Sequence, residues 1–193
     1  MSGIPNDYAG YGTFVVIPVS PTSRGTIGLQ SASMEDPPII NPNWLTTDTD
    51  VELTVQAVKR ARDILNSTIL DPIKLSKDEY MPGPAIVTDA QLEEYIRNNL
   101  FMNWHAACTC KMGRVNDTTA VVDSRARVIG VQKLRVVDAS AFAILPPGEL
   151  YPRNCMRFES CANEVLGHPT SMVFGLAEKI SANIIEDNGG SYY

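Results

Sequence analysis

The stretch most informative about the fold is Trp104–Gly113, with the sequence WHAACTCKMG, followed by AVVD at 120–123 and LRVVDAS at 134–140. A single histidine beside a tryptophan is, in most proteins, a packed or solvated residue. His105 is nevertheless one of only two histidines in the chain. Imidazole is well suited to removing a proton near neutral pH. His105 is therefore the first candidate for a catalytic residue.

The composition is that of an ordinary folded protein with an acidic balance. A chain of 193 residues, 44% of them hydrophobic, is long enough to bury one core or two small ones. Its net charge of −6 argues against nucleic acid or an anionic membrane as a partner, because both require a basic face. No apolar run approaches the roughly 20 residues of a membrane span, and the polar segment 1–12 lacks the pattern of a signal peptide.

The cysteines and the glycosylation triplets leave the cellular compartment open. Cys108 and Cys110 are too close in sequence to bridge easily, and they lack the paired spacing of a zinc site. The triplets at 66–68 and 116–118 fit the glycosylation sequon, but such triplets often arise by chance.

Four short segments rich in β-branched and aromatic residues predict strands. They are 13–19, 26–30, 119–122 and 133–137. Turn chemistry at 21–25 joins the first two. Loops are expected at 36–38 and 41–43, because each proline disfavours helix at the residue before it.

Three helices are predicted. Thr49 and Glu52 fit a capping box that begins a helix ending near residue 66, and Thr88 and Gln91 fit a second box. The last helix is expected over 170–186, before a glycine stop. The apolar residues expected to face inward are Val51, Val55, Val58 and Leu65, then Leu92, Tyr95 and Ile96, then Met172, Val173, Leu176, Ile180 and Ile184.

In this order, the segments quoted first resemble the C-terminal signature of the glucose–methanol–choline (GMC) flavin oxidoreductases, and PTSRG at 21–25 is similar to the start of that region. The resemblance covers nearly the whole chain and implies an α+β fold. An antiparallel sheet with flanking helices, part of the family's substrate domain, would occupy residues 1–104. The active-site loop, then the C-terminal strand and helix of a Rossmann-like FAD domain, would occupy residues 105–193.

The resemblance also implies a reaction. Family members oxidise alcohols by removing the hydroxyl proton and passing a hydride to the flavin. His105 matches the catalytic base, and His168 matches a second active-site position. The matching FAD contacts are Asp138, Ala139, Pro169 and Thr170. The implied partners are FAD, a small primary or aryl alcohol, and oxygen or a quinone as electron acceptor. No metal is implied. From the residues alone, Asp138 could instead cap a strand end, and His168 could be a solvated residue before a helix.

Two features depart from the family pattern. The G-x-G-x-x-G fingerprint that places the FAD pyrophosphate is absent from the chain, and family members extend several hundred residues further at the N-terminus. We therefore expect Met1 to fall in mid-protein and high-affinity FAD binding to be lost. Residues 149–167 separate PPG from HPT, which adjoin in the family. Their possible codons predict a retained intron, with a genuine loop insertion as the alternative.

Three functions remain open at this level. The chain is a fragment of an FAD-dependent alcohol oxidase or dehydrogenase, a non-redox relative such as a lyase or cyclase, or a non-catalytic remnant. As written, it is expected to show little or no turnover, because its two histidines lack most of the cofactor's binding surface.

Overall fold

The computed structural model describes residues 9–76, 78–145 and 169–191. The chain divides into two compact units, and the description concerns their described residues. The first unit comprises Met1–Ser23 with Asn43–Phe101, and the second comprises Arg24–Pro42 with Met102–Tyr193. No helix among the described residues is long and apolar enough to cross a membrane. The domain division expected at residues 104 and 105 stays a prediction.

The first unit contains helices α1 (Asp48–Leu65) and α2 (Asp89–Asn99), with a 3₁₀ helix at Thr68–Ile73 between them. Its core is formed by residues from both helices and from the loop before α1. The buried members are Leu45, Val55, Leu92 and Ile96. Val51 and Val58 pack against them as predicted, and Leu92 is fully buried.

The capping box predicted for α2 is confirmed. Thr88 Oγ1 accepts the N–H of Gln91 at 3.2 Å, and Gln91 Oε1 accepts the N–H of Thr88 at 3.0 Å. The box predicted for α1 is wrong, because Thr47, not Thr49, is the capping residue. Thr47 has extended backbone angles and accepts the N–H of Asp50, so the helix begins two residues earlier and Thr49 lies inside its first turn.

Asp50 anchors the segment before α1. The residue is 3% exposed. It accepts the N–H of Thr22 at 2.7 Å, the hydroxyl of Thr22 at 2.9 Å and the N–H of Ser23 at 2.8 Å. Burial by itself would raise the pKa of Asp50, but the hydrogen bonds from Ser23 and Thr22 outweigh it and hold that pKa well below its usual range. The start of the PTSRG segment is therefore tied to α1 by a buried anion.

The second unit contains strands β1 (Thr26–Gly28) and β2 (Ile39–Asn41), a 3₁₀ helix at Ala139–Ala141 and helix α3 (Thr170–Asp187). The strands pair antiparallel, with Ile27 opposite Ile40. The core lies elsewhere in the unit. Its buried members are Val122, Ala126, Ala141, Phe142, Leu176 and Ile180. The predicted last helix is thus confirmed, with Leu176 and Ile180 on its buried face, although Ile184 is exposed.

Three of the four predicted strands are not formed. Segment 13–19 has no regular structure and is mostly exposed. Segments 119–122 and 133–137 make isolated bridges, at Val122 and at Arg135. β-Branched residues fit a half-buried surface, and a strand also needs a neighbouring strand to pair with. Val122 is fully buried in the core, yet it makes only isolated β-bridges. The β-branched residues of segment 119–122 therefore indicate a buried segment and not a paired strand.

The predicted fold class is confirmed in its coarser form. The described residues form a mixed α and β structure with a two-stranded antiparallel sheet and helices. The Rossmann-like FAD portion is not shown by them and stays a prediction.

The substitution Asp50→Asn is expected to lower the free energy of unfolding by about 1–3 kcal/mol at neutral pH, because it removes a hydrogen-bonded charge. A carboxyl whose pKa is depressed by folding stabilises above its unfolded pKa of about 3.9, and the contribution fades as the pH falls below that value. The deficit of the variant should therefore shrink at about pH 3, measured by urea denaturation. The matched Asp48→Asn change, at an exposed first-turn acid, should cost roughly 0.5 kcal/mol. An Asp50→Asn deficit that is equal at both pH values would contradict the assignment.

Candidate functional site

A cavity of about 320 Å³ lies in the second unit. The residues that line it come from the Trp104 loop, from the Ala139–Ala141 helix and from the first turns of α3. They are Trp104, His105, Ala106, Ala139, Pro169, Thr170, Val173 and Phe174. The structure thus brings together four of the residues proposed from the sequence, namely His105, Ala139, Pro169 and Thr170. His168 lies outside the described residues.

Backbone hydrogen bonds hold the histidine loop against the Ala139–Ala141 helix. The N–H groups of Cys108, Cys110 and Met112 donate to the carbonyl oxygens of Ala139, Ser140 and Ala141, at 3.2, 2.8 and 2.9 Å respectively. Every second residue of the loop is therefore fixed to consecutive residues of the helix. These bonds place His105 and Ala139 at the wall of the same cavity.

Two residues of the loop have left-handed backbone angles that favour glycine. Trp104 has a φ of 55° and Cys108 a φ of 69°. Such angles cost of order 1 kcal/mol or more in a residue other than glycine, and they cluster at functional sites. They turn the chain immediately before His105 and again three residues after it. The half-buried imidazole therefore lies in a tightly turned segment.

Helix α3 contributes its N-terminal end to the cavity. Pro169 is buried at the cap position, which has no side-chain cap hydrogen bond, and Thr170 begins the helix. The positive end of the helix dipole therefore lies at the cavity wall. At the other end, Asp187 accepts hydrogen bonds from Arg125 at 2.8 Å and from Arg135 at 2.6 Å. The hydrogen bond from Arg135 and the charge of Arg125 lower the pKa of Asp187, and these bonds anchor the far end of α3.

Asp138 does not line the cavity. Its carboxylate accepts the N–H of Ser140 at 2.7 Å, and so it caps the Ala139–Ala141 helix. The structure therefore gives Asp138 a capping role at a helix and not at a strand end, while its assignment as an FAD contact stays a prediction. Through that cap Asp138 fixes the backbone of Ala139, which does line the cavity.

The sequence analysis missed two aromatic residues of the cavity. Trp104 is 76% exposed and Phe174 is 68% exposed. Two large aromatic side chains at one cavity are thus both mostly exposed, and exposed apolar patches often mark binding sites. A signal for Phe174 was available, because residues 170, 173 and 174 share one face of a helix. Val173 belongs to both surfaces, because it also packs against the core that contains Leu176 and Ile180.

Cys108 is a poor candidate for a nucleophile. Burial raises the pKa of its thiol, an effect that the charge of Arg24 reduces without cancelling. A neutral thiol is much less nucleophilic than a thiolate.

Comparison with known proteins places this geometry in a family. Residues 21–152 match the family model described as GMC oxidoreductase. Patulin synthase of Aspergillus clavatus is 47% identical over 180 residues, which is 93% of this chain and 26% of that protein. The chain thus spans about a quarter of the length of this relative.

Solved structures give the same result. An FAD-dependent oxidoreductase from Chaetomium thermophilum is similar with a TM-score of 0.72 and 25% identity, covering 90% of this chain and 26% of that one. A fungal aryl-alcohol oxidase is similar with a TM-score of 0.65 and 26% identity, covering 88% of this chain and 24% of that one.

The capping role of Asp138 predicts how two substitutions will differ. Asp138→Ala should destabilise the protein by about 1 kcal/mol, whereas Asp138→Asn should cost a few tenths, because asparagine caps a helix about as well as aspartate. Urea denaturation of both variants measures the difference. Equal losses would contradict the capping role and would show that the charge of Asp138 is what matters.

Proposed function

The chain belongs to the GMC oxidoreductase family, and we propose that it supplies the part of the active site with the catalytic base in an FAD-dependent enzyme that oxidises alcohols. The observation that supports this most is the presence of His105 with Ala139, Pro169 and Thr170 at one cavity. These residues are up to 65 positions apart in the sequence, and the family resemblance assigns all four to the active site.

The cavity fits one part of FAD and not another. Its wall combines two exposed aromatic side chains, Trp104 and Phe174, with the positive end of α3. A planar ring that gains negative charge on reduction matches such a wall. The chain has no G-x-G-x-x-G segment for the pyrophosphate. We therefore propose that its residues hold the flavin ring, while the pyrophosphate depends on a polypeptide segment outside this sequence.

Bound FAD supplies the acceptor for the hydride of the substrate. His105 acts as the base that removes the alcohol proton, since its half-buried imidazole lies at the cavity wall and is accessible to a small molecule. The peptide N–H groups at the start of α3 stabilise negative charge at the ring. The small side chains of Ala106 and Ala139 leave room for the substrate beside His105.

The remaining assignments belong to the same proposal. His168 holds the substrate oxygen or helps to place the proton, and Asp138 contacts the cofactor together with Ala139. The substrate is a small primary or aryl alcohol, and the electron acceptor is oxygen or a quinone. Residues 1–104 form part of the substrate domain, and residues 105–193 form the active-site loop and the return to the FAD domain. The name of the aryl-alcohol oxidase among the structural neighbours supports this substrate class.

A chimera tests the proposal. The A. clavatus patulin synthase is cut where its match to this chain begins, and the 193-residue chain is fused in place of the matched part. The fusion should purify with bound FAD, and a panel of primary and aryl alcohols should bleach the flavin absorbance under anaerobic conditions. A flavin that binds and is not bleached by any alcohol would favour a non-redox member of the family. A fusion without flavin would reject the proposal.

In this chimera, His105→Gln should lower the rate of alcohol-dependent bleaching by roughly 10²–10⁴-fold, the usual contribution of a general base. FAD content should stay unchanged, because glutamine preserves the size and hydrogen-bonding capacity of the position. Stopped-flow absorbance measures the rate. Val115→Ala, at an exposed turn that does not line the cavity, is the matched control and should leave the rate unaltered. A His105→Gln rate within about twofold of the parent would remove His105 from the mechanism.

A further inference from the structure

One of the two glycosylation triplets lies at the joint between α1 and the 3₁₀ helix at Thr68–Ile73. Asn66 is the C-cap residue of α1, Ser67 caps the 3₁₀ helix, and Thr68 begins it. Asn66 and Thr68 are both exposed. A glycosylation sequon requires an amide at its first position and a hydroxyl at its third. The two residues that supply these groups are therefore both at the surface of the first unit.

Backbone hydrogen bonds hold this joint in place. The N–H of Asn66 donates to the carbonyl oxygen of Arg62 at 2.8 Å, and the N–H of Ser67 donates to that of Ile64 at 3.1 Å. Neither bond uses the side-chain amide of Asn66. A large group attached to that amide would therefore extend into solvent while the end of α1 stayed intact.

A group of exposed apolar residues follows the sequon. Its members are Ile69, Ile73 and Leu75, which expose 84%, 78% and 89% of their surface. Lys74 Nζ donates to the carbonyl oxygen of Leu65 at 2.9 Å, so the end of this segment returns to the end of α1 beside Asn66. Exposed apolar residues grouped in this way are typical of a surface that something else covers.

The second triplet lacks such surroundings. Asn116 is also exposed, in a turn in which the N–H of Asp117 donates to the carbonyl oxygen of Arg114 at 2.9 Å. The middle residue of this triplet is Asp117, whose carboxylate lies 3.1 Å from Lys111 Nζ. The apolar neighbour in the turn is Val115, which is 72% exposed. Of the two triplets, the one at Asn66 is thus the one that adjoins a group of exposed apolar side chains.

We propose that Asn66 is an N-glycosylation site and that its glycan covers the apolar residues Ile69, Ile73 and Leu75. A glycan is bulky and solubilising, and its sugar rings have apolar C–H faces as well as hydroxyl groups. It therefore fits a surface on which apolar side chains would otherwise stay in water. This single modification accounts for both the sequon and the exposed residues that follow it.

The chemistry requires a donor of a defined class, an oligosaccharide joined through pyrophosphate to a lipid. Nδ2 of Asn66 forms a bond to the anomeric carbon of the oligosaccharide, and the bond from that carbon to the pyrophosphate oxygen breaks. The lipid pyrophosphate leaves with the electron pair of that bond. The amide loses one proton, and no group is oxidised or reduced. Since this donor is used in the lumen of the secretory pathway, the proposal places the chain there.

Expression of the whole 193-residue chain behind a cleavable secretion signal in yeast tests the site. Peptide N-glycosidase releases the glycan and converts the asparagine that carried it to aspartate. Mass spectrometry should therefore find aspartate in place of Asn66, in the yeast product and in protein from the native source. Thr68→Ala should abolish the glycan, whereas Thr68→Ser, which keeps the hydroxyl, should retain it. Both substitutions leave Asn66 in place and alter an exposed residue, so folding should be unaffected.

Binding of the dye ANS, whose fluorescence reports exposed apolar surface, tests whether the glycan covers the apolar group. Removal of the glycan from the folded protein should raise that fluorescence. The rise should be smaller when Ile73→Ser and Leu75→Ser are introduced together, because less apolar surface is then uncovered. Val115→Ser, at an exposed apolar residue outside the segment, is the matched control and should leave the rise unaltered. The helical signal in circular dichroism should be the same for all these variants.

Several outcomes would overturn the proposal. The peptides are read in secreted and in retained chains alike, so poor secretion does not prevent the measurement. An unmodified Asn66 in both fractions rejects the site, and so does a glycan that is confined to Asn116. A glycan at Asn66 that Thr68→Ala does not remove rejects the sequon as its cause. A glycan whose removal leaves the dye fluorescence unchanged rejects the covering role.

Discussion

The geometry of the candidate site depends on the hydrogen bonds between the histidine loop and the Ala139–Ala141 helix. Three consecutive carbonyl groups of that helix accept N–H groups from alternate residues of the loop. Backbone groups that are buried must find partners, so this arrangement satisfies both segments together. It also converts a sequence separation of 34 residues between His105 and Ala139 into adjacency at one cavity.

The two ends of helix α3 have different roles: the C-terminal end is held in place, and the N-terminal end lines the cavity. Leu176 and Ile180 are buried in the core, and Asp187 is held by two arginines at the C-terminal end. A carboxylate near a helix C-terminus is unfavourable for the helix dipole, and the arginines offset that effect. The first turn makes no side-chain cap hydrogen bond, and its residues Pro169, Thr170 and Val173 line the cavity. The helix is therefore fixed at one end and available for binding at the other.

Local signals in the sequence were sufficient where one segment decides its own conformation. The Thr88–Gln91 box and α3 depend on neighbouring residues, and each corresponds to an observed feature. The predicted start of α1 was wrong by two residues because Thr47 and Thr49 are both chemically suitable caps. Only the backbone angles of the folded chain, extended at Thr47, select one of them. The order of motifs, not their periodicity, indicated the family, and the role proposed for His105 follows from it.

The sequence by itself determined the three α-helices, apart from the first residues of α1, and the family, because capping, periodicity and motif order are properties of short segments. Tertiary structure decided which β-branched segments pair, since a strand needs a partner that its own sequence does not specify. It alone showed that Asp138 caps a helix, that Asp50 holds the segment before β1, and that Phe174 lines the cavity. Each of these contacts joins groups whose separation in space is set by packing of the whole unit, which no local pattern records.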